Sequence, residues 1–226
     1  FDRSQVLDQL RPPAHAPEFS RVFAARTCMM AGVGLTGVFL WYLVRFWVYG
    51  KAVVLTSAPL TIPAGFLIAS MAVATLIGAA LASWAAGPIS ERIEEKNIPV
   101  ARVVAGACLL YAIGLGLAWG LGVWSTGTAR ENGMLLFALI SGFAFGIYDS
   151  LGLELVMDSL PDPRRAGHDL GIYALANSAG LALAAIIGAL LVNAFEHSFG
   201  YYLLFPSAIV MVLLAGIVTL TTKSAE

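Results

Sequence analysis

Residues 134–157 read MLLFALISGFAFGIYDSLGLELVM. As a helix this stretch is long enough to cross a hydrocarbon core about 30 Å thick, which takes roughly 20 apolar residues. Its only charged side chains are Asp149 and Glu154. A charge at the bilayer centre costs on the order of 3 kcal/mol on insertion scales, so each acid needs a reason to be there. The segment reads as a membrane span that carries polar groups for a purpose.

The same reading extends in both directions along the chain. Five more stretches of similar length and composition lie at about 23–46, 64–86, 100–123, 170–195 and 201–222. Across all 226 residues, 59% are hydrophobic and 12% charged, against about 25% charged in an ordinary soluble chain. Mean hydropathy is +0.82. So few charges cannot cover a soluble domain of this size. Closed β-barrels are disfavoured, because the runs lack ten-residue alternation and are rich in Ala, Leu and Gly. The expectation is an all-α integral membrane protein, with residues 21–226 forming one six-helix transmembrane bundle. Pro63, Gly87-Pro88, Pro99 and Pro161-Asp162-Pro163 mark the predicted span ends. Residues 1–20, which open on Phe1 and contain Arg11-Pro12-Pro13, read as the end of a cytoplasmic linker cut from something longer.

Ten of the thirteen lysines and arginines fall on one side of the predicted spans. Only Arg45, Lys51 and Arg130 fall on the other. By the positive-inside rule, with six spans, both termini are cytoplasmic. Trp41, Tyr42, Trp47, Tyr49, Trp119, Trp124, Tyr201 and Tyr202 gather at the opposite boundary, where amphipathic rings favour the headgroup level. The predicted location is the cell (inner or plasma) membrane.

Several function classes drop out. A formal net charge of −1 offers no basic face to nucleic acid. Cys28 and Cys108 both lie in apolar runs, and no ligand spacing for a metal is present, so neither metal nor cofactor is expected. An intramembrane aspartyl protease would add to Tyr148-Asp149 a second aspartate in a G-x-G-D context, which the chain lacks. A rhomboid-type protease needs G-x-S-G and a membrane-embedded histidine; Ser141-Gly142 lacks the first glycine, and His15, His168 and His197 lie in loops or at span ends. An enzyme is not expected.

Asp149 is the first candidate for a substrate or proton pathway. Glu154, five residues on, points about 140° away around the helix and lines up with Asp158 nearer the cytoplasm. Asp149 shares its side with Gly142, Gly146 and Gly152, of which Gly142-xxx-Gly146 suits close helix packing. In the fifth span Asp169, Tyr173, Asn177 and Gly180 form a stripe that either bonds a neighbouring helix or lines a wet cavity. Tyr173 and Asn177 join the candidates, with Arg45 near the outer end of the first span.

Gly87-Pro88-Ile89-Ser90-Glu91-Arg92-Ile93-Glu94-Glu95-Lys96 resembles the signature loop of the major facilitator superfamily, G-x-L-[AS]-[DE]-R-x-G-R-[RK]. Gly142-xxx-Gly146-x-Tyr148, Asp158-x-Leu160-Pro161, Ala166-Gly167-x-Asp169-Leu170-Gly171 and Ala176-Asn177 resemble spans ten and eleven of its bacterial sugar- and glycoside-permease-like members. The run from Phe19 to Gly32 resembles the start of their span seven. The resemblance implies a C-terminal half whose partner is an N-terminal six-helix half of the same polypeptide, with a small-molecule substrate held between them. It implies a secondary active transporter of a small polar solute, sugar-like or exported, working by alternating access. Protons would couple through Asp149 or Glu154, and Glu91, Arg92 and Asp158 would act as the cytoplasmic gate. The alternative from another class is a non-transporting membrane scaffold or receptor.

Overall fold

The computed structural model describes residues 17–49, 61–124, 127–160, 166–195 and 197–222. Among them every regular element is helical: α1 (Pro17–Gly37), α2 (Leu40–Leu43), a π-helical turn (Val44–Val48), α3 (Thr61–Glu95), α4 (Val100–Trp124), α5 (Thr128–Asp158), α6 (Ala166–Ala194) and α7 (His197–Leu220). The five helices α3 to α7 are each long and apolar enough to cross a membrane, as expected of a multi-pass membrane protein. Residues 1–16 of the expected linker lie outside the described residues, as do Lys51, Pro161-Asp162-Pro163, Arg164, Arg165 and Lys223. Residues 17–20, read as linker, belong to α1 instead.

The first expected span is not one continuous helix. It stops at Gly37, turns through Val38 and Phe39, and resumes as α2 and the π-helical turn. Thr36 Oγ1 donates to the Val33 carbonyl at 3.1 Å, a side-chain bond of the kind that loosens a helix, and Gly34 and Gly37 weaken the same turn. After the break, Trp47 seats edge-on against Tyr202, with ring centroids 4.1 Å apart. Arg130 donates to the Trp47 carbonyl at 2.9 Å.

Gly87-Pro88 does not end the second span either: α3 runs 35 residues with Pro88 inside it. Proline at 88 removes one bond, to the Trp84 carbonyl, and the Ser90–Glu95 run of good helix formers carries the helix onward. The helix stops at Asn97, whose φ of 51° is the left-handed conformation common after a helix C-terminus. Ile98 N donates back to the Ile93 carbonyl at 3.0 Å. At 1.5 Å per residue α3 is about 52 Å long, roughly 20 Å more than a hydrocarbon core. Glu91 and Arg92 are exposed in its last turns.

Packing follows a regular scheme. Helix α1 packs on α6 and α7, α5 packs on α3 and α4, and α4 packs on α7. The helices thus form an open row, α3–α5–α4–α7–α1–α6. Exchanging α1 with α5, α3 with α6 and α4 with α7 returns the same set of pairs; a lesser contact of α6 with α7 has no such counterpart. The core runs along the middle of the row, with Phe19, Met29, Leu115, Leu204 and Phe205 fully buried. The end helix α3 turns Phe66, Leu76, Ile77 and Trp84 outward, and α6 turns out Ile186 and Leu190. Between α1 and α5, which scarcely touch, the row leaves room for a site.

Candidate functional site

Close crossing of α3 and α5 sets the wall of this site. A Cβ on Gly142 would collide with the Thr75 carbonyl, and one on Gly78 with that of Leu139. Gly146 likewise faces Ala82, where a Cβ would lie 2.6 Å from its methyl. The expected packing role of Gly142-xxx-Gly146 is what the helices use. With α3 and α5 so near, the side chains just beyond the contact line a cavity of about 340 Å³, within the range of small-ligand sites. Its polar lining is Thr75, Ser83, Tyr111, Ser141, Asp149 and Ser150, set among Val33, Ala79 and Phe145. Most of these residues lie near the middle of α3 and in the central and C-terminal turns of α5, with Val33 from α1 and Tyr111 from α4.

At one edge of the cavity Asp149 Oδ1 accepts from Arg26 at 2.7 Å. Arg26 Nε donates to Asn177 Oδ1, also at 2.7 Å. The guanidinium sits 5.7, 5.6 and 5.8 Å from the ring centroids of Phe145, Tyr148 and Tyr173. Three helices, α1, α5 and α6, thereby meet on a single cation. The burial is lopsided: the Arg26 side chain is 9% exposed and that of Asp149 56%. A cation this deep in an apolar bundle needs compensation. Charge-assisted hydrogen bonds and cation–π contacts worth about 0.5–2 kcal/mol each supply it.

Of the candidates, Asp149, Tyr173 and Asn177 are brought together around Arg26. The stripe on α6 faces α1 rather than open water: a Cβ on Gly180 would stand 2.7 Å from the Thr27 carbonyl. Asp169, at the start of that stripe, is buried beside His168, 3.2 Å from its Nδ1. The remaining candidates lie elsewhere. Glu154 is exposed on another side of α5, away from the cavity lining. Arg45 stacks on Trp41 at 5.8 Å, at the far end of the first span. Glu91, Arg92 and Asp158 are exposed, and among the described residues no ion pair joins them.

Arg26 itself was missed as a site residue, because its charge fits the cytoplasmic count that sets the orientation. The signal was present nonetheless: a cation three residues inside one expected span, with a carboxylate inside another.

No family model matches the chain, nor does any curated protein or any solved structure.

Proposed function

We propose that the chain is the C-terminal six-helix half of a secondary active transporter of the major facilitator type, carrying a small polar solute by alternating access. The observation that carries this reading is a cavity at the middle of apolar helices, with serine, threonine and aspartate side chains set in a largely apolar wall and an ion pair at its edge. A charged pair beside a cavity of ligand size suits a solute pathway better than a scaffold. The exchange symmetry of the helix pairs supports it as well, since a three-plus-three repeat with opposite crossing directions is a recurrent transporter plan. In this reading α1, α2 and the π-helical turn together make the first of six spans, and both termini are cytoplasmic. The second bundle lies across the open side of the row and completes the cavity.

The mechanism follows from the pair. Arg26 holds Asp149 at the cavity edge and ties α1 and α6 to α5, so any change at the Asp149 carboxylate is felt by three helices. Protonation of Asp149 would remove its charge and release the guanidinium, coupling a proton to helix movement. Glu154 and the Glu91, Arg92 and Asp158 group would act near the cytoplasmic face.

The test is solute flux into proteoliposomes containing the native gene product, with and without a pH gradient. Saturable uptake that Asp149→Asn abolishes or uncouples from the gradient supports the proposal. A protein that moves no solute in a broad screen is the scaffold or receptor.

A further inference from the structure

Four serine and threonine hydroxyls line the cavity, and all four donate their protons to their own helix. Thr75 Oγ1 bonds the Met71 carbonyl at 2.9 Å, Ser83 Oγ that of Ala79 at 3.1 Å, Ser141 Oγ that of Ala138 at 3.1 Å, and Ser150 Oγ that of Gly146 at 2.9 Å. With its proton committed, each oxygen offers the cavity only lone pairs. Asp149 adds acceptors alone: Oδ1 takes the Arg26 bond, and among the described residues Oδ2 accepts none. The backbone amides of this wall are spent inside the helices that carry it, α1, α3, α4 and α5. The Tyr111 hydroxyl, the other one in the lining, belongs to a buried side chain and is hydrogen-bonded with Thr36.

We infer that this cavity takes an ammonium-bearing solute, bound through N–H donors to Asp149 and the serine and threonine oxygens. An ammonium has donors and no acceptor, which complements such a wall. A polyol hydroxyl must accept as well as donate, and this wall gives it little to accept from. A carboxylate would need a free cation, yet Arg26 stands behind Asp149 and outside the lining. The Phe145 ring in the same wall offers an apolar face to the carbon skeleton next to the ammonium. The inference rests on the transporter reading only for its word solute; the binding chemistry belongs to the cavity.

The experiment titrates the full native gene product in detergent with n-butylamine and benzylamine. Their uncharged partners n-butanol and benzyl alcohol, and the anion butyrate, serve as controls, with calorimetry as the readout. The amines are expected to bind at least about tenfold more tightly than the alcohols, and Asp149→Asn to erase that preference. Because Asp149→Asn strands a buried cation, Ser83→Ala and Ser150→Ala provide a second arm. Each should weaken amine binding about two- to fivefold and leave alcohol binding unchanged. Equal or tighter binding of the alcohols or butyrate, no binding of any probe, or an amine preference untouched by all three variants would overturn the assignment. Flux in proteoliposomes separates the two levels. Amines bound but not moved would sink the transporter and leave the cavity assignment standing. Uptake of a polyol or an anion without amine binding would do the reverse.

Discussion

Arg26 and Asp149 differ in exposure, 9% against 56% for their side chains, and that difference sets how each responds to substitution. Replacing Asp149 strands a buried cation, whereas replacing Arg26 leaves a carboxylate that water reaches from the cavity. A fully buried pair broken at one end costs about 3–5 kcal/mol, and an exposed pair about 0–1 kcal/mol. We therefore expect a coupling of about 1–3 kcal/mol in the cycle Arg26→Gln, Asp149→Asn and the double variant, read from unfolding in detergent. The double variant should be less destabilised than the sum of the singles; strict additivity would mean that the pair contributes nothing to the fold. Trp47 gives a second prediction at this scale. Its indole Nε1 is buried with no hydrogen-bond partner among the described residues, so Trp47→Phe removes an unmet donor and should leave stability within about 0.5 kcal/mol of the parent or raise it. Trp47→Ala, which empties the space beside Tyr202 and Phe205, should cost about 3–5 kcal/mol. Asp149, Tyr173 and Asn177 were legible from sequence because polar groups stand out against an apolar run. That they converge on Arg26 was not, since Arg26 and Asn177 are 151 residues apart and only the packing of α1 against α6 brings them together.

Helix boundaries were legible where composition changes sharply and illegible where it does not. Pro99 before α4 and Pro63 in the first turn of α3 sit where proline is tolerated. Pro88 misleads because one lost hydrogen bond is too little to stop a helix whose following residues favour it. The break after Gly37 hides inside an apolar run with no charge or proline to mark it; only the Thr36 back-bond and the glycines at 34 and 37 weaken the turn. Glycines supply the prediction at this scale. Gly78→Ala and Gly142→Ala each press a methyl onto backbone of the facing helix, where neither side can yield. Either should destabilise the bundle by more than about 2 kcal/mol and reshape the cavity. Gly106→Ala and Gly152→Ala meet nothing within 4 Å and should be neutral, or stabilising by up to about 1 kcal/mol through helix propensity. Thermal unfolding of the four variants in one detergent ranks them. Equal behaviour of the two pairs would contradict the α3–α5 crossing.

For the whole molecule, the membrane class was plain from composition, whereas the row α3–α5–α4–α7–α1–α6 was not. Apolar residues cover most faces of every span, so periodicity does not reveal which face meets which neighbour. The row's exchange symmetry leaves α3 and α6 as its ends, and the cavity lies among α3, α5 and α4 with Val33 of α1 at its rim. Helix sets arranged this way rock about a fixed site when they work as a transporter. The cavity edge should therefore face each side of the membrane in turn. The most direct measurement places a cysteine at Ser150, with Cys28 and Cys108 replaced by serine or alanine, in the native gene product. A membrane-impermeant thiol reagent is then applied to intact cells and, separately, to inside-out vesicles. Alternating access predicts labelling from both sides. Labelling from one side only would mean that the cavity never changes face, and the transporter proposal would fall.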